Sequence, residues 1–191
     1  SVPRIFNRNL SYGSRIRVGY IGRIVPDKGL RDLARLATIN RKMVEIHIFG
    51  DKSPSNLWAS EYSSLVVELE NAGCQLHGFV EDKEQMYAAI DVLFHPSVRE
   101  GFPRAVMEAS VRGIPAIGYY VPGTMAAIKD GVNGFLVSPG DIFFVFDILM
   151  TLGEPAVYKN LSAKTRQFGI SAFTSDTANI RFYNMVVSRC F

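Results

Sequence analysis

Two carboxylates with seven residues between them, Glu100 and Glu108, bracket the stretch EGFPRAVME. Proline suits the first position of a helix, where its missing N–H has no intrahelical acceptor to lose. Pro103 therefore marks a helix start, with Gly101 and Phe102 in the turn before it. At about 3.6 residues per turn, Glu108 falls about one and a half turns inside that helix, while Glu100 stays in the loop. The free N–H groups of Arg104, Ala105 and Val106 would then point out of a helix end that carries partial positive charge and suits a phosphate. Gly101 would let a ligand come close to the backbone. Such an arrangement fits a small polar ligand with an anionic middle and a carboxylate on each side. It fits equally well two solvated glutamates beside an ordinary helix start, and the rest of the chain must decide.

A second group of chemically capable residues lies in GRIVPDKG (22–29). Gly22 ends an apolar run, and Arg23 and Lys28 place two cations on one short loop. Arginine can hold two phosphate oxygens at once and lysine acts as a mobile point charge, so the pair would serve a diphosphate. Farther on, Gly78-Phe79-Val80 could present backbone to a flat ring. The three histidines, His47, His77 and His95, are spaced as strand residues rather than as metal ligands. His47 and His95 lie inside apolar runs and read as core or strand-end residues rather than catalytic ones. The chain has no GxSxG, no GxxxxGK[ST], no GxGxxG after its first strand and no DxD. A nucleophile elbow, a P-loop and a dinucleotide fingerprint are thereby excluded, and a DxD-held metal has no support.

These residues sit in loops, and the elements between the loops alternate. IRVGYI (16–21), MVEIHIF (43–49), CQLHGFV (74–80), DVLFHPS (91–97), IPAIGY (114–119) and GFLV (134–137) read as strands. Residues 29–38, 56–73, 83–90, the segment from Pro103 and 123–131 read as the helices between them. From Asp141 the chain reads as helical, broken at Gly153–Pro155 and again near Gly169. Alternation of this kind, with short connections, predicts a doubly wound parallel α/β sheet of Rossmann type with a helical tail. Sheets of that type bind ligands at the carboxyl ends of their strands. The loops carrying Arg23, Gly50, Gly78, Glu100 and Tyr120 would all open on that edge.

Hydrophobic residues at 48% and charged residues at 20% describe a soluble globular chain. A net charge of +3, with Lys and Arg scattered, leaves no nucleic-acid footprint. Two cysteines, Cys74 and Cys190, lie in no CxxC and near no zinc-like cluster, which points to a reduced compartment. Asn9 and Asn160 begin N-x-S matches too short to carry weight. The most apolar stretch, IFFVFDILMTL (142–152), is too short to span a bilayer. It reads as a buried or docking helix in preference to a membrane-surface one.

In this order the segments GRIVPDKG (22–29), IFGD (48–51), LHGFV (76–80), DVLFHPS (91–97), EGFPRAVMEAS (100–110), GIPAIG (113–118) and DGVNGFLV (130–137) resemble the carboxyl-terminal domain of the group 1 (GT4) retaining glycosyltransferases of GT-B architecture. The resemblance spans roughly residues 15–141 and, more loosely, the tail. It implies that residues 15–191 bind a nucleotide-sugar donor, that residues 1–14 are the remnant of an interdomain linker, and that an amino-terminal acceptor domain is absent. It further implies that Arg23 and Lys28 hold the diphosphate, Glu100 contacts the donor sugar, and Glu108 bonds the ribose hydroxyls. Gly101 to Val106 would hold sugar and phosphate, Gly78 to Val80 would frame the base, and Gly22 would belong to the donor-binding site. The expected donor is a UDP-sugar, the acceptor a glycan or lipid-linked sugar, and no divalent metal is needed. The implied setting is bacterial surface-polysaccharide synthesis in the cytoplasm or at the cytoplasmic face of the membrane. A non-catalytic nucleotide-sugar-binding or scaffold subunit is the alternative. Family members often carry Gly-Gly and then Glu where this chain has Pro122, Gly123 and Ala126, so the sugar-side contacts depart from the pattern.

Overall fold

A computed structural model describes residues 10, 13–50 and 59–173. Most of the expected linker, residues 51–58 and Cys190 lie outside the described residues. Six parallel strands form one sheet in the order β3-β2-β1-β4-β5-β6. They are β1 (Ile16–Ile21), β2 (Val44–Phe49), β3 (Gln75–Gly78), β4 (Val92–His95), β5 (Ala116–Tyr119) and β6 (Gly134–Val137). The expected doubly wound parallel sheet is therefore present. The central strands β4 and β5 are buried along their whole length because helices cover both faces, whereas the edge strand β3 exposes Gln75 and His77.

One face carries α1 (Leu30–Ile39), α2 (Ala59–Ala72) and α6 (Ile142–Leu152). Val18, Ile46, Phe94 and Ile117 pack there against Leu33, Leu65 and Leu149. The other face carries α3 (Lys83–Ala88) and α4 (Arg104–Val111), where Leu93 and Ala116 meet Met86, Ile90 and Val106. A short helix α5 (Pro122–Met125) follows β5. Cys74 is buried with a free thiol.

Helix α6 is buried along Ile142, Val145, Leu149 and Leu152, whereas Phe143 and Phe144 are exposed. Its apolar composition therefore does not bury it on every side. The last helix among the described residues, α7 (Pro155–Phe173), overturns the expected break near Gly169. It begins at the strands' amino-terminal edge, where Tyr158 donates to Asp91 O at 2.8 Å. It then lies along α4, where Ser162 Oγ donates to Gly113 O and Arg166 to Val111 O.

Strand order reverses beside β1. Its crossover leads to β2 on one side, while β4 pairs on the other with Val18 opposite Val92 and Gly19 opposite Leu93. Loops leaving β1 and β4 therefore diverge and leave a crevice between them at the strands' carboxyl ends.

Candidate functional site

The loop after β1 carries a single 3₁₀ turn, Pro26–Lys28, which aims Lys28 across the crevice. Lys28 Nζ lies 2.9 Å from Glu100 Oε2 on the loop after β4. It also donates to Arg99 O at 3.4 Å, and Ser97 Oγ donates to the same carbonyl at 3.0 Å. Two residues 72 positions apart thus meet at the point where the strand order reverses.

His95, the last residue of β4, lies 3.2 Å through Nε2 from the same Glu100 oxygen. The hydrogen bond from His95, reinforced by Lys28, holds the Glu100 carboxyl down at about 2 against the opposing effect of burial. An ionised carboxylate can only accept, so His95 Nε2 carries the proton. His95 is thus part of the candidate site, which its place in an apolar run did not reveal. A histidine closing a strand five residues before a loop carboxylate is the signal that could have found it.

Glu108 lies on the exposed side of α4 but is not a free solvated carboxylate. Its Oε1 is 2.7 Å from Lys83 Nζ at the start of α3, and Arg104 approaches to 4.0 Å. Its Oε2 is 3.2 Å from the Tyr87 hydroxyl, which lies equally far from Ala105 O and shares one proton between them. Tyr87 is fully buried. Burial and the neighbouring Glu108 push its hydroxyl well above the usual tyrosine range, so it stays a donor. Arg112 lies over the Tyr87 ring at 4.5 Å and pairs with Glu84. Neither Lys83 nor Tyr87 belonged to the site expected from sequence.

The start of α4 differs from expectation by one residue. Pro103 is extended, at φ −78° and ψ 98°, and is the cap rather than the first helical residue. The N–H of Val106 turns back to Pro103 O at 3.1 Å, so Val106 does not offer the free amide expected of it. Arg104 and Ala105 are the first residues of this helix, and Gly101 before it is exposed. Phe102 is half-buried, with its ring 6.4 Å from that of Phe173 at the end of α7.

The remaining expected residues fall on the same edge. Gly22 follows β1, but its N–H is committed to Phe49 O at 3.0 Å. The Arg23 side chain is exposed and makes no ion pair with a described residue, while its carbonyl accepts from Tyr20. Gly78 ends β3, with its carbonyl bonded to Gly50 N at 2.9 Å. Phe79 projects outward at 79% exposure, whereas Val80 packs inward beside α3. Among the described residues no three or more His, Cys, Asp or Glu side chains are placed to hold a metal ion, and no helix is long and apolar enough to cross a membrane.

Comparison with known proteins agrees with this architecture. The family model of "Glycosyl transferases group 1" matches residues 1–165. A GDP-mannose-dependent alpha-mannosyltransferase of Corynebacterium glutamicum is 31% identical over 129 residues, covering 68% of this chain and 29% of that protein. The capsular polysaccharide biosynthesis glycosyltransferase CapM of Staphylococcus aureus is 29% identical over 127 residues, covering 65% of this chain and 33% of CapM. The chain thus spans about a third of the length of these relatives. The crystal structure of Anabaena Alr3699/HepE in complex with UDP superposes with a TM-score of 0.78 at 24% identity. That match, a likeness of fold, covers 92% of this chain and 49% of HepE.

Proposed function

The chain belongs to the group 1 glycosyl transferases, and on that premise we propose that it is the nucleotide-sugar-binding half of a retaining glycosyltransferase. The observation that carries the reading is the meeting of Lys28 and Glu100 across the crevice between β1 and β4. A diphosphate laid there would face Lys28, Arg23 and the amides at the start of α4. Those groups would stabilise the charge that grows on the departing nucleoside diphosphate, the task a metal ion performs in other transferases. Glu100 would contact the donor sugar and Glu108 the ribose hydroxyls, with Gly78 to Val80 beside the base. Matches to only 29% and 33% of two relatives and 49% of HepE support a further domain that binds the acceptor and closes the cleft.

In this reading a hexose or N-acetylhexosamine passes to a glycan or lipid-linked acceptor in bacterial surface-polysaccharide assembly. CapM, named for capsular polysaccharide biosynthesis, supports that setting. The base divides between uridine, which HepE binds in its crystal, and guanosine, which the mannosyltransferase uses. Calorimetric titration of the chain with UDP, GDP and ADP, repeated in EDTA and on Glu108→Ala, tests the reading. One nucleotide should bind without metal, and Glu108→Ala should weaken it by about tenfold or more, the cost of a lost bond to a charged group. A folded chain that binds none of the three overturns the reading.

A further inference from the structure

Both carboxylates of the candidate site are held in the same two-part way. Glu100 accepts from the ring of His95, which is 6% exposed, and from the flexible ammonium of Lys28. Glu108 accepts from the ring hydroxyl of Tyr87, which is fully buried, and from the ammonium of Lys83. In each case one partner is a rigid side chain rooted in the core. The other is a lysine with four rotatable bonds. The lysine can leave by rotating its own side chain, whereas the ring is held by the core around it.

The consequence is sharpest at Glu100. Its side chain is 18% exposed, so an ionised carboxylate there needs a partner to offset lost hydration. Without ligand it has two. Under the donor-binding reading, on which this inference rests, Lys28 turns to the diphosphate and one partner goes. A hydrogen bond from His95 then remains, made by the residue that closes β4.

We propose that His95 is a positioning residue that keeps Glu100 satisfied and in place while Lys28 exchanges the carboxylate for the donor's diphosphate. It touches neither donor nor reacting atoms. Its effect on binding passes through Glu100 alone, which separates it from a residue that merely fills space.

The test is calorimetric titration of the chain with the nucleoside diphosphate that the wild type binds, chosen over the sugar nucleotide because it lacks the sugar that Glu100 would contact. Four variants are compared: His95→Ala, His95→Gln, Glu100→Gln and His95→Ala/Glu100→Gln. His95→Ala should weaken binding about tenfold or more, because Lys28 can then leave only by stranding the carboxylate. His95→Gln, whose amide N–H replaces the ring donor, should recover most of that. In the double variant a neutral amide replaces the carboxylate, and affinity should return to within about twofold of Glu100→Gln alone. A packing role would make the two losses add, since the hole at His95 remains. Should His95→Ala not fold, His95→Phe fills the volume without a donor and takes its place. Additive losses, or His95→Ala within twofold of wild type, overturn the proposal. Wild-type chain that binds no nucleoside diphosphate overturns instead the donor-site reading beneath it.

Discussion

Gly169, four residues before the end of α7, lies directly against the backbone of Ser110 in α4. A Cβ on it would come within 2.4 Å of the Ser110 carbonyl carbon and 2.6 Å of the Val111 nitrogen. The glycine that reads as a helix break is instead a point where two helices lie in backbone contact, and α4 is the helix that carries Glu108.

Alanine at Gly169 should therefore destabilise. In an unhindered helix the change would gain about 1 kcal/mol. Here the added methyl meets backbone, which cannot rotate away, and overpacking of that kind costs about 1–3 kcal/mol. Urea denaturation reads the sign. An increase in stability would mean that α4 and α7 separate freely.

At the opposite edge of the sheet, Asp91 is buried and holds Arg17 through three contacts. Its oxygens accept from the Arg17 backbone N–H at 2.9 Å, from Nε at 3.1 Å and from a terminal guanidinium nitrogen at 2.7 Å. Asp91→Ala should cost on the order of 2–3 kcal/mol, below the roughly 3–5 of a fully enclosed pair, because water can reach the guanidinium. Nucleotide affinity should stay within about twofold, since the pair lies at the amino-terminal ends of the strands. A large loss of affinity in folded protein would show that the two edges are coupled.

The sheet was legible because its signals are local. β1 and β6 fall at residues 16–21 and 134–137 as expected, whereas the helix expected over 123–131 ends at Met125. The family was legible too, since the order of seven short segments is preserved. Partnerships across the crevice were not. Nothing in the spacing of Lys28 announces a carboxylate 72 residues away, or in Glu108 a lysine 25 residues before it. His95 was read from its apolar neighbours Val92, Leu93 and Phe94, which report the strand and not where the chain leaves it. Gly169 was misread because a glycine that breaks a helix and one that lets a second helix come close are the same residue in a string.

Acid should act on Glu100 in a definite window. Its carboxyl is held below the ordinary 4.5, down to about 2, first by the bond from His95 and then by Lys28. A carboxylate depressed in the folded state contributes stability that is present above its unfolded value and lost as pH falls through the folded one. Wild type should exceed Glu100→Gln in stability above pH 4.5, with the excess shrinking between there and about 2. Urea titrations of both proteins across that window decide the matter. A difference that does not change with pH would mean the His95 and Lys28 contacts contribute nothing in solution.

Gly123 ties the loop after β5 to the residue that carries the first carboxylate. A Cβ there would stand 1.9 Å from Glu100 O and 2.9 Å from Gly101 O. Only glycine allows the two loops to lie in backbone contact at this point. Where the family pattern has a pair of glycines, this chain keeps the one that the contact requires and has Pro122 beside it, the first residue of α5. Alanine at Gly123 must push the loops apart, and the displacement falls on Glu100 and Gly101 rather than on Lys28 or Glu108. The loss should therefore concentrate in the sugar part of the donor. Gly123→Ala should bind the sugar nucleotide about tenfold or more weakly, the scale of one lost charge-assisted contact. Free nucleoside diphosphate, which lacks the sugar, should lose less than the sugar nucleotide does. Paired titrations with the two ligands separate these effects. Equal losses for both would place the damage at the diphosphate, and unchanged affinity for both in a folded variant would show that the loop contact does not shape the site.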